Sequence, residues 1–196
     1  MTASLSVALW AFGLSKIQNM FTRNKPQIRA AQPQDLPIIV RLIEELAEFE
    51  QLTHLLEVTP EKLGPHLFGP RPVAECLVGE IDGEAVAFAI FYTNFSTFLG
   101  KPGMYLEDLY VRPAHRRSGL GKALLVHMAE LACARGYGRF EWSVLGWNED
   151  AVRFYQKLGA EVLPDWQLCR LTGDALQRYS GEETPGKWSA SSWLPL

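Results

Sequence analysis

The stretch Val111-Arg112-Pro113-Ala114-His115-Arg116-Arg117-Ser118-Gly119-Leu120-Gly121-Lys122-Ala123-Leu124-Leu125 constrains this chain more than any other. An alternating apolar run from Met104 to Val111 reads as a strand. It breaks at Pro113, passes through a basic, glycine-bearing turn and re-emerges as a helix with Leu120, Leu124, Met128 and Leu131 on one face. Strand, glycine turn and helix start, in that order, direct free backbone N–H groups outward at the positive end of a helix dipole. Gly119 and Gly121 carry no Cβ, so a positive φ is allowed and an anion can touch the main chain. Each charge-assisted N–H contact is worth roughly 1.5–3 kcal/mol, so about four or five of them suffice to anchor a diphosphate.

The bulk numbers narrow the partners. A chain of 196 residues, 47% hydrophobic, has ample material for one domain with a core. Its net charge of −3 argues against a nucleic-acid partner and suits a cationic small molecule. Cys76, Cys133 and Cys169 are isolated within apolar runs and read as buried free thiols of a reducing compartment, the cytoplasm. His54, His66, His115 and His127 show no metal-ligand spacing, so no metal is expected. The apolar patch Leu5–Leu14 is too short to span a bilayer and lacks a secretory pattern, so no membrane partner is expected.

Taken in order, residues 1–25 read as a loose arm. A strand over Gln27–Ala31 follows, then a helix with Leu36, Ile39, Val40, Leu42, Ile43, Leu46, Ala47 and Phe49 on its apolar face. Thr59-Pro60 starts a shorter helix. Asp82-Gly83 joins two β-rich runs, Val73–Ile81 and Ala85–Thr93, as a hairpin. Tyr92–Gly103 reads as an aromatic loop, and the helix from about Gly119 ends at Gly136. Phe140–Leu145 is a further strand. Asn148 caps a helix that runs to about Lys157 and ends at Gly159, and Ala160–Val162 and Trp166–Leu171 read as closing strands. Residues 181–196, with Trp188 and Trp193, read as a tail, leaving 26–180 as the domain. The pattern is a mixed α/β (α+β) layer fold around one central, mostly antiparallel sheet.

The spacing Arg116-x-x-Gly119-x-Gly121 is neither the dinucleotide fingerprint nor the Walker loop. It resembles the pyrophosphate signature of the GNAT N-acetyltransferase superfamily. The flanks agree: Tyr105-Leu106-Glu107-Asp108-Leu109-Tyr110-Val111 before it, and Trp147-Asn148-Glu149-Asp150-Ala151-Val152-Arg153-Phe154-Tyr155-Gln156-Lys157-Leu158-Gly159-Ala160 about thirty residues later. Order and phrasing are most similar to the spermidine/spermine and thialysine acetyltransferase branch, over about Gln27–Leu171. The resemblance implies acetyl-CoA as co-substrate, a homodimer, and two middle strands, ending at Val111 and near Leu145, that splay apart to admit pantetheine. It places Leu109, Tyr110 and Val111 against pantetheine, and Arg116, Arg117, Ser118, Gly119, Leu120, Gly121 and Lys122 around the pyrophosphate. Asn148 and Ala151 match the start of the later helix that also meets the cofactor.

A primary alkylamine, with a pKa near ~10.4, must lose a proton before it attacks, at a cost of roughly 4–5 kcal/mol at neutral pH. Alternation puts Glu107 and Leu109 on one face of the strand and Asp108 on the other, so one carboxylate faces the cleft. The resemblance selects Glu107 as the acid that contacts substrate and accepts the proton. It makes Tyr155 the proton donor to the departing thiolate, and assigns Phe49, Glu50, Glu141, Trp142 and Ser143 to the acceptor site. Trp142 would narrow the amine channel or stack on a cation. In Leu163-Pro164-Asp165-Trp166 only Asp165 remains of a longer acidic turn in the polyamine enzymes. That departure points from long polyamines to a shorter amine, such as thialysine or a small diamine. The rival acceptors are an aminoglycoside, an amino acid or a protein lysine. Outside the enzyme class the rival is a silent acyl-CoA-binding module, which needs neither Tyr155 nor Glu107.

Overall fold

The computed structural model describes residues 26–180. The arm over 1–25 and the tail over 181–196, with Trp188 and Trp193, lie outside the described residues. The described chain divides into two compact units, 26–143 and 144–180.

The first unit holds a five-stranded sheet in chain order, β1 Gln27–Ala30, β2 Glu75–Ile81, β3 Glu84–Ser96, β4 Lys101–Val111 and β5 Phe140–Trp142. All neighbours are antiparallel except β4 and β5, which run parallel. The β2–β3 turn is Asp82-Gly83 with both residues at positive φ, 54° and 81°, the backbone that matches strand twist in a two-residue hairpin. β3 is the centre: Val86 through Phe91 are all buried, as a strand covered on both faces requires.

Helix α1, Leu36–Glu50, and helix α2, Pro60–Phe68, cover one face. There Ile39, Leu42, Leu46 and Leu67 pack on Cys76, Val78, Phe88, Ile90 and Tyr110. Asp35 fixes the start of α1. Its carboxylate accepts two Arg29 N–H bonds, at 2.6 and 2.9 Å, and the Gln32 N–H at 2.7 Å. The Arg29 guanidinium holds the Asp35 carboxyl below the usual range against the opposing effect of burial. Thr59 caps α2 by accepting from the Lys62 N–H. Helix α3, Leu120–Ala134, meets β2, β3 and β4 and buries Leu120, Leu124 and Met128. Gly79 makes room for it: a Cβ there would stand 3.0 Å from the Leu120 side chain.

Several expectations are corrected. Tyr92–Gly103 is not a loop, because β3 runs on to Ser96 and β4 starts at Lys101, leaving a turn over 97–100 with Gly100 at φ 61°. Thr93 and Phe95 suit a pleated strand as well as they suit a loop, and the pairing decides. The strand expected over Phe140–Leu145 stops at Trp142. Cys76 is buried, and burial pushes its thiol up to about 12, but Cys133 and Cys169 are exposed. Cys133 follows the buried Ala132 and so turns about 100° away from the core.

The second unit contains helix α4, Glu149–Lys157, and the short helix α5, Gly173–Gln177. Residues 160–171 form no strand, and Val162, Leu163, Trp166, Leu168 and Leu171 are exposed. The closing strands expected over Ala160–Val162 and Trp166–Leu171 are therefore absent, although their composition suits strands.

Candidate functional site

Past Val111 the chain makes a short 3₁₀ turn, Pro113–His115, and reaches α3 through two left-handed residues, Arg117 at φ 65° and Gly119 at φ 88°. A left-handed conformation costs a non-glycine residue roughly 1–2 kcal/mol, so Arg117 is held there under strain. The turn uses some of its donors internally. His115 N–H bonds to Arg112 O, Arg116 N–H to Pro113 O, and Leu120 N–H to Ser118 Oγ at 3.3 Å. The N–H groups of Arg117, Ser118, Gly119, Gly121 and Lys122 meet no acceptor among the described residues. A Cβ on Gly119 would find nothing within 4 Å, so space as well as φ is free at the helix mouth. Exposed Arg117 and Lys122 add positive charge beside it. Open N–H groups and two positive side chains thus gather at the helix mouth, a geometry that could receive an anion, while the Arg116 N–H is consumed inside the turn.

On β4 the register shifts. Phe91 pairs with Leu106 and Ile90 with Asp108, so Glu107 is the extra residue of a β-bulge. Tyr105, Asp108 and Tyr110 pair with Tyr92, Ile90 and Phe88, which alternate along β3, and therefore share the α1 face. Leu109 and Val111 pair with Ala89 and Ala87 and take the α3 face. The simple alternation expected for Glu107 does not hold, because the bulge removes it from the pleat. β5 pairs with β4 only from Met104–Phe140 to Leu106–Trp142. Beyond Leu106 that edge of β4 has no strand partner among the described residues, which is the splay expected at Leu109 and Val111.

The α1 face carries an acidic group. Burial, then the charges of Glu107 and Glu50, push the Asp108 carboxyl up to about 6. Burial also raises Glu50, at the last turn of α1. Tyr92 is raised by burial and then by Glu107 and Tyr105, and its ring lies 5.2 Å from that of Tyr105. Asp108 thus feels two neighbouring carboxylates as well as its burial, and a cation entering beside it would relieve that repulsion. Beside them the Arg116 guanidinium lies 4.5 Å over the Phe49 ring and 5.8 Å from that of Tyr110, with Nε donating to Val111 O.

The expected acceptor residues separate. Glu50 and Glu107 meet at Asp108, while Phe49 lies against Arg116. Ser143 reaches the group through its hydroxyl, 2.8 Å from that of Tyr105. Glu141 shares the face of its partner Tyr105, but its carboxylate accepts from Asn94 Nδ2 at 2.9 Å and pairs with Arg139 at 2.8 Å. Trp142 pairs with Leu106 on the opposite face and packs on Phe140 at 4.9 Å. The sequence offers Asp108 only as the alternative to Glu107 and does not mark Tyr92 or Tyr105 as acceptor residues. The adjacent Glu107-Asp108 pair was the available signal, and the bulge at Glu107 was not.

In the unit 144–180, Asn148 Oδ1 accepts from the Ala151 N–H at 3.2 Å and caps α4. Glu149 and Asp150 in its first turn pair with Arg153. Tyr155 is half-buried with its ring 5.5 Å from Phe154, and Asp165 is exposed. No cluster of three or more His, Cys, Asp or Glu suited to a metal occurs among the described residues, and none of their helices is long and apolar enough to cross a membrane.

A family model described as the acetyltransferase (GNAT) family matches residues 39–160. The chain is 36% identical over 203 residues to L-ornithine N5-acetyltransferase NATA1 of Arabidopsis thaliana, covering 81% of this chain and 87% of that protein. It is 38% identical over 166 residues to thialysine N-epsilon-acetyltransferase of Mus musculus, covering 79% and 97%. Among solved structures, an integron cassette protein from the mobile metagenome of V. cholerae matches with a TM-score of 0.68 at 20% identity. The match covers 80% of this chain and 98% of that one, a likeness of fold.

The acidic group has a consequence for stability. Asp108 binds its proton more tightly folded than unfolded, so its contribution is full below about pH 4 and is lost as pH rises through about 6. In paired urea titrations, Asp108→Asn is expected to be more favourable relative to wild type at pH 7.5 than at pH 4.5, by on the order of 2 kcal/mol. A difference independent of pH would show that Asp108 titrates normally.

Proposed function

Because the chain belongs to the acetyltransferase (GNAT) family, we propose that it transfers acetyl from acetyl-CoA to the side-chain amine of a small acceptor bearing a second amine. The observation that carries this reading is that one strand, β4, ends in an anion cradle and carries the acidic group in its middle. Coenzyme phosphates on the N–H groups of residues 117–122 would lay pantetheine along the bare edge of β4 and aim the thioester at the acid cluster. The Leu109 or Val111 N–H would polarise the acetyl carbonyl.

The carboxylates would first bind the ammonium. With a carboxyl near pH 6, Asp108 is better matched than an ordinary carboxylate to take a proton at neutral pH. Glu107 would share that role, directly or through water. The neutral nitrogen attacks the thioester carbon in a ternary complex, the C–N bond forms, and the C–S bond breaks. The departing thiolate takes a proton, the role that the family resemblance gives to Tyr155; from a tyrosine that transfer is uphill by roughly 2 kcal/mol from reference values and so within reach of a general acid. Glu50 and Glu107 beside Asp108 would favour an acceptor with two cationic groups over a monoamine. Relatives named for ornithine and thialysine support the same class. A silent coenzyme-binding module would have no use for Tyr155 or Glu107.

An acceptor panel with optical detection of thiol release tests the reading. Saturable turnover is expected with ornithine, thialysine and short diamines, and not with aminoglycosides. Turnover with aminoglycosides alone would overturn it. Tyr155→Phe is expected to retain acetyl-CoA affinity and to lower kcat at least tenfold, about 1.4 kcal/mol. Unchanged kcat would make Tyr155 a packing residue. Gly119→Ala should cost about 1–2 kcal/mol of stability from its backbone and weaken acetyl-CoA binding at least tenfold by calorimetry. Normal affinity would move the phosphates off this turn.

A further inference from the structure

We infer that Trp142 limits the length of the acyl group: with Leu106 it closes the inner end of the gap between β4 and β5, so that an acetyl group fits there and a longer chain does not. The inference rests on the acetyl-transfer reading and goes beyond it, to what restricts the donor.

Trp142 is an expected acceptor residue that the acidic group leaves out. Tyr105, Asp108 and Tyr110 face α1, whereas Leu106, Leu109 and Val111 pair with Phe91, Ala89 and Ala87 and face α3. On β5, Glu141 shares the side of its partner Tyr105, and Phe140 and Trp142 share that of Met104 and Leu106. The indole therefore stands on the side of the sheet where the cradle opens into α3, and not on the side of Asp108.

The order along β4 then matters. From the cradle inward, the α3 side presents Val111, Leu109 and Leu106 in succession, because the bulge takes Glu107 out of the alternation. β5 is missing beside the first two and present beside the third, where Leu106 and Trp142 form the last pair. A coenzyme with its phosphates at residues 117–122 and its pantetheine along the bare edge would carry its thioester toward that pair. The pair is a firm floor. Leu106 is buried, Met104 behind it is fully buried, and the half-buried Trp142 ring packs on Phe140 at 4.9 Å.

Successive positions on one face of a strand stand about 7 Å apart, and an apolar contact takes about 4 Å of that. A thioester carbonyl at the Leu109 N–H would therefore have roughly 3 Å before it met the Leu106–Trp142 pair. A methyl group, one bond of about 1.5 Å away, fits. The chain of a butyryl group reaches about 4 Å from its carbonyl carbon, so it would have to lift the indole off Phe140 or part the strands, and packed side chains resist both. Leu106 belongs to the core, whereas Trp142 ends its strand with part of its surface exposed. Trp142 is the member of the pair whose size can change without emptying the core.

Calorimetry with acetyl-CoA and butyryl-CoA, without acceptor, is the first test. Wild type is expected to bind butyryl-CoA at least tenfold more weakly than acetyl-CoA, and Trp142→Ala to reduce the difference to about threefold or less. The ratio of two affinities on one preparation does not depend on its folded fraction, and Trp142→Leu keeps an apolar contact to Phe140 should the smaller residue fail to fold. Thiol release with one saturating acceptor follows. The ratio of kcat/KM for butyryl-CoA to that for acetyl-CoA should rise at least thirtyfold in Trp142→Leu, while the preference between 1,3-diaminopropane and 1,5-diaminopentane stays as in wild type. Equal losses on both donors would make Trp142 a packing residue, and a changed diamine preference with the donor ratio unchanged would make it part of the amine channel; either overturns the inference. So would a wild type that binds and uses butyryl-CoA as well as acetyl-CoA, which leaves the acetyl-transfer reading standing. Failure of both coenzymes to bind would remove that reading and the inference with it.

Discussion

One strand has to be gripped along one edge and bare along the other. β4 is paired with β3 over its whole length, and β3 cannot yield, because its middle is buried on both faces. The bulge at Glu107 reconciles the two demands. An extra residue increases local twist and bends the strand that carries it. The last pair between β4 and β5, Leu106 with Trp142, comes immediately before that residue. The parallel neighbour is lost where the twist changes, and the edge it leaves carries Leu109 and Val111. The same extra residue keeps Tyr105 and Asp108 on one face although three positions separate them. An open edge and a convergent acidic face are then two results of one insertion.

Much of the frame was legible because it depends on local chemistry. Asp82-Gly83 forces its own turn, Thr59 and Asn148 cap their helices, and Gly119 and Gly136 take the positive φ that their positions demand. The strand–turn–helix around Gly119 was legible for the same reason. What could not be read depends on pairing between distant segments. Whether Tyr92–Gly103 is a loop or a longer hairpin is decided by β4, not by its own composition. Trp142 and Glu141 look alike as candidates until their partners are known. Then one falls on the face opposite Asp108 and the other is held by Asn94 and Arg139. The bulge has no signature in the residues around Glu107, so the roles of Glu107 and Asp108 could be narrowed by alternation but not assigned by it.

The distribution of charge sets Asp108 apart from the carboxylates that meet an arginine. Asp35 and Glu80 meet Arg29, Glu45 and Glu84 meet Arg112, Glu75 meets Arg135, Glu141 meets Arg139, and Glu149 and Asp150 meet Arg153. Where the partner is close and the carboxyl buried, as at Asp35, the acid is held in its charged form. Asp108 has the opposite environment: burial without a cation and two like charges nearby. A chain that neutralises so many acids with arginine gains nothing in stability by leaving this one unpaired. Proteins retain such penalties where function uses them. Under the proposed reaction the missing cation is the acceptor's own ammonium. Its binding lowers the Asp108 pKa, and its deprotonation restores it, so the group is driven to take a proton at the step that releases one.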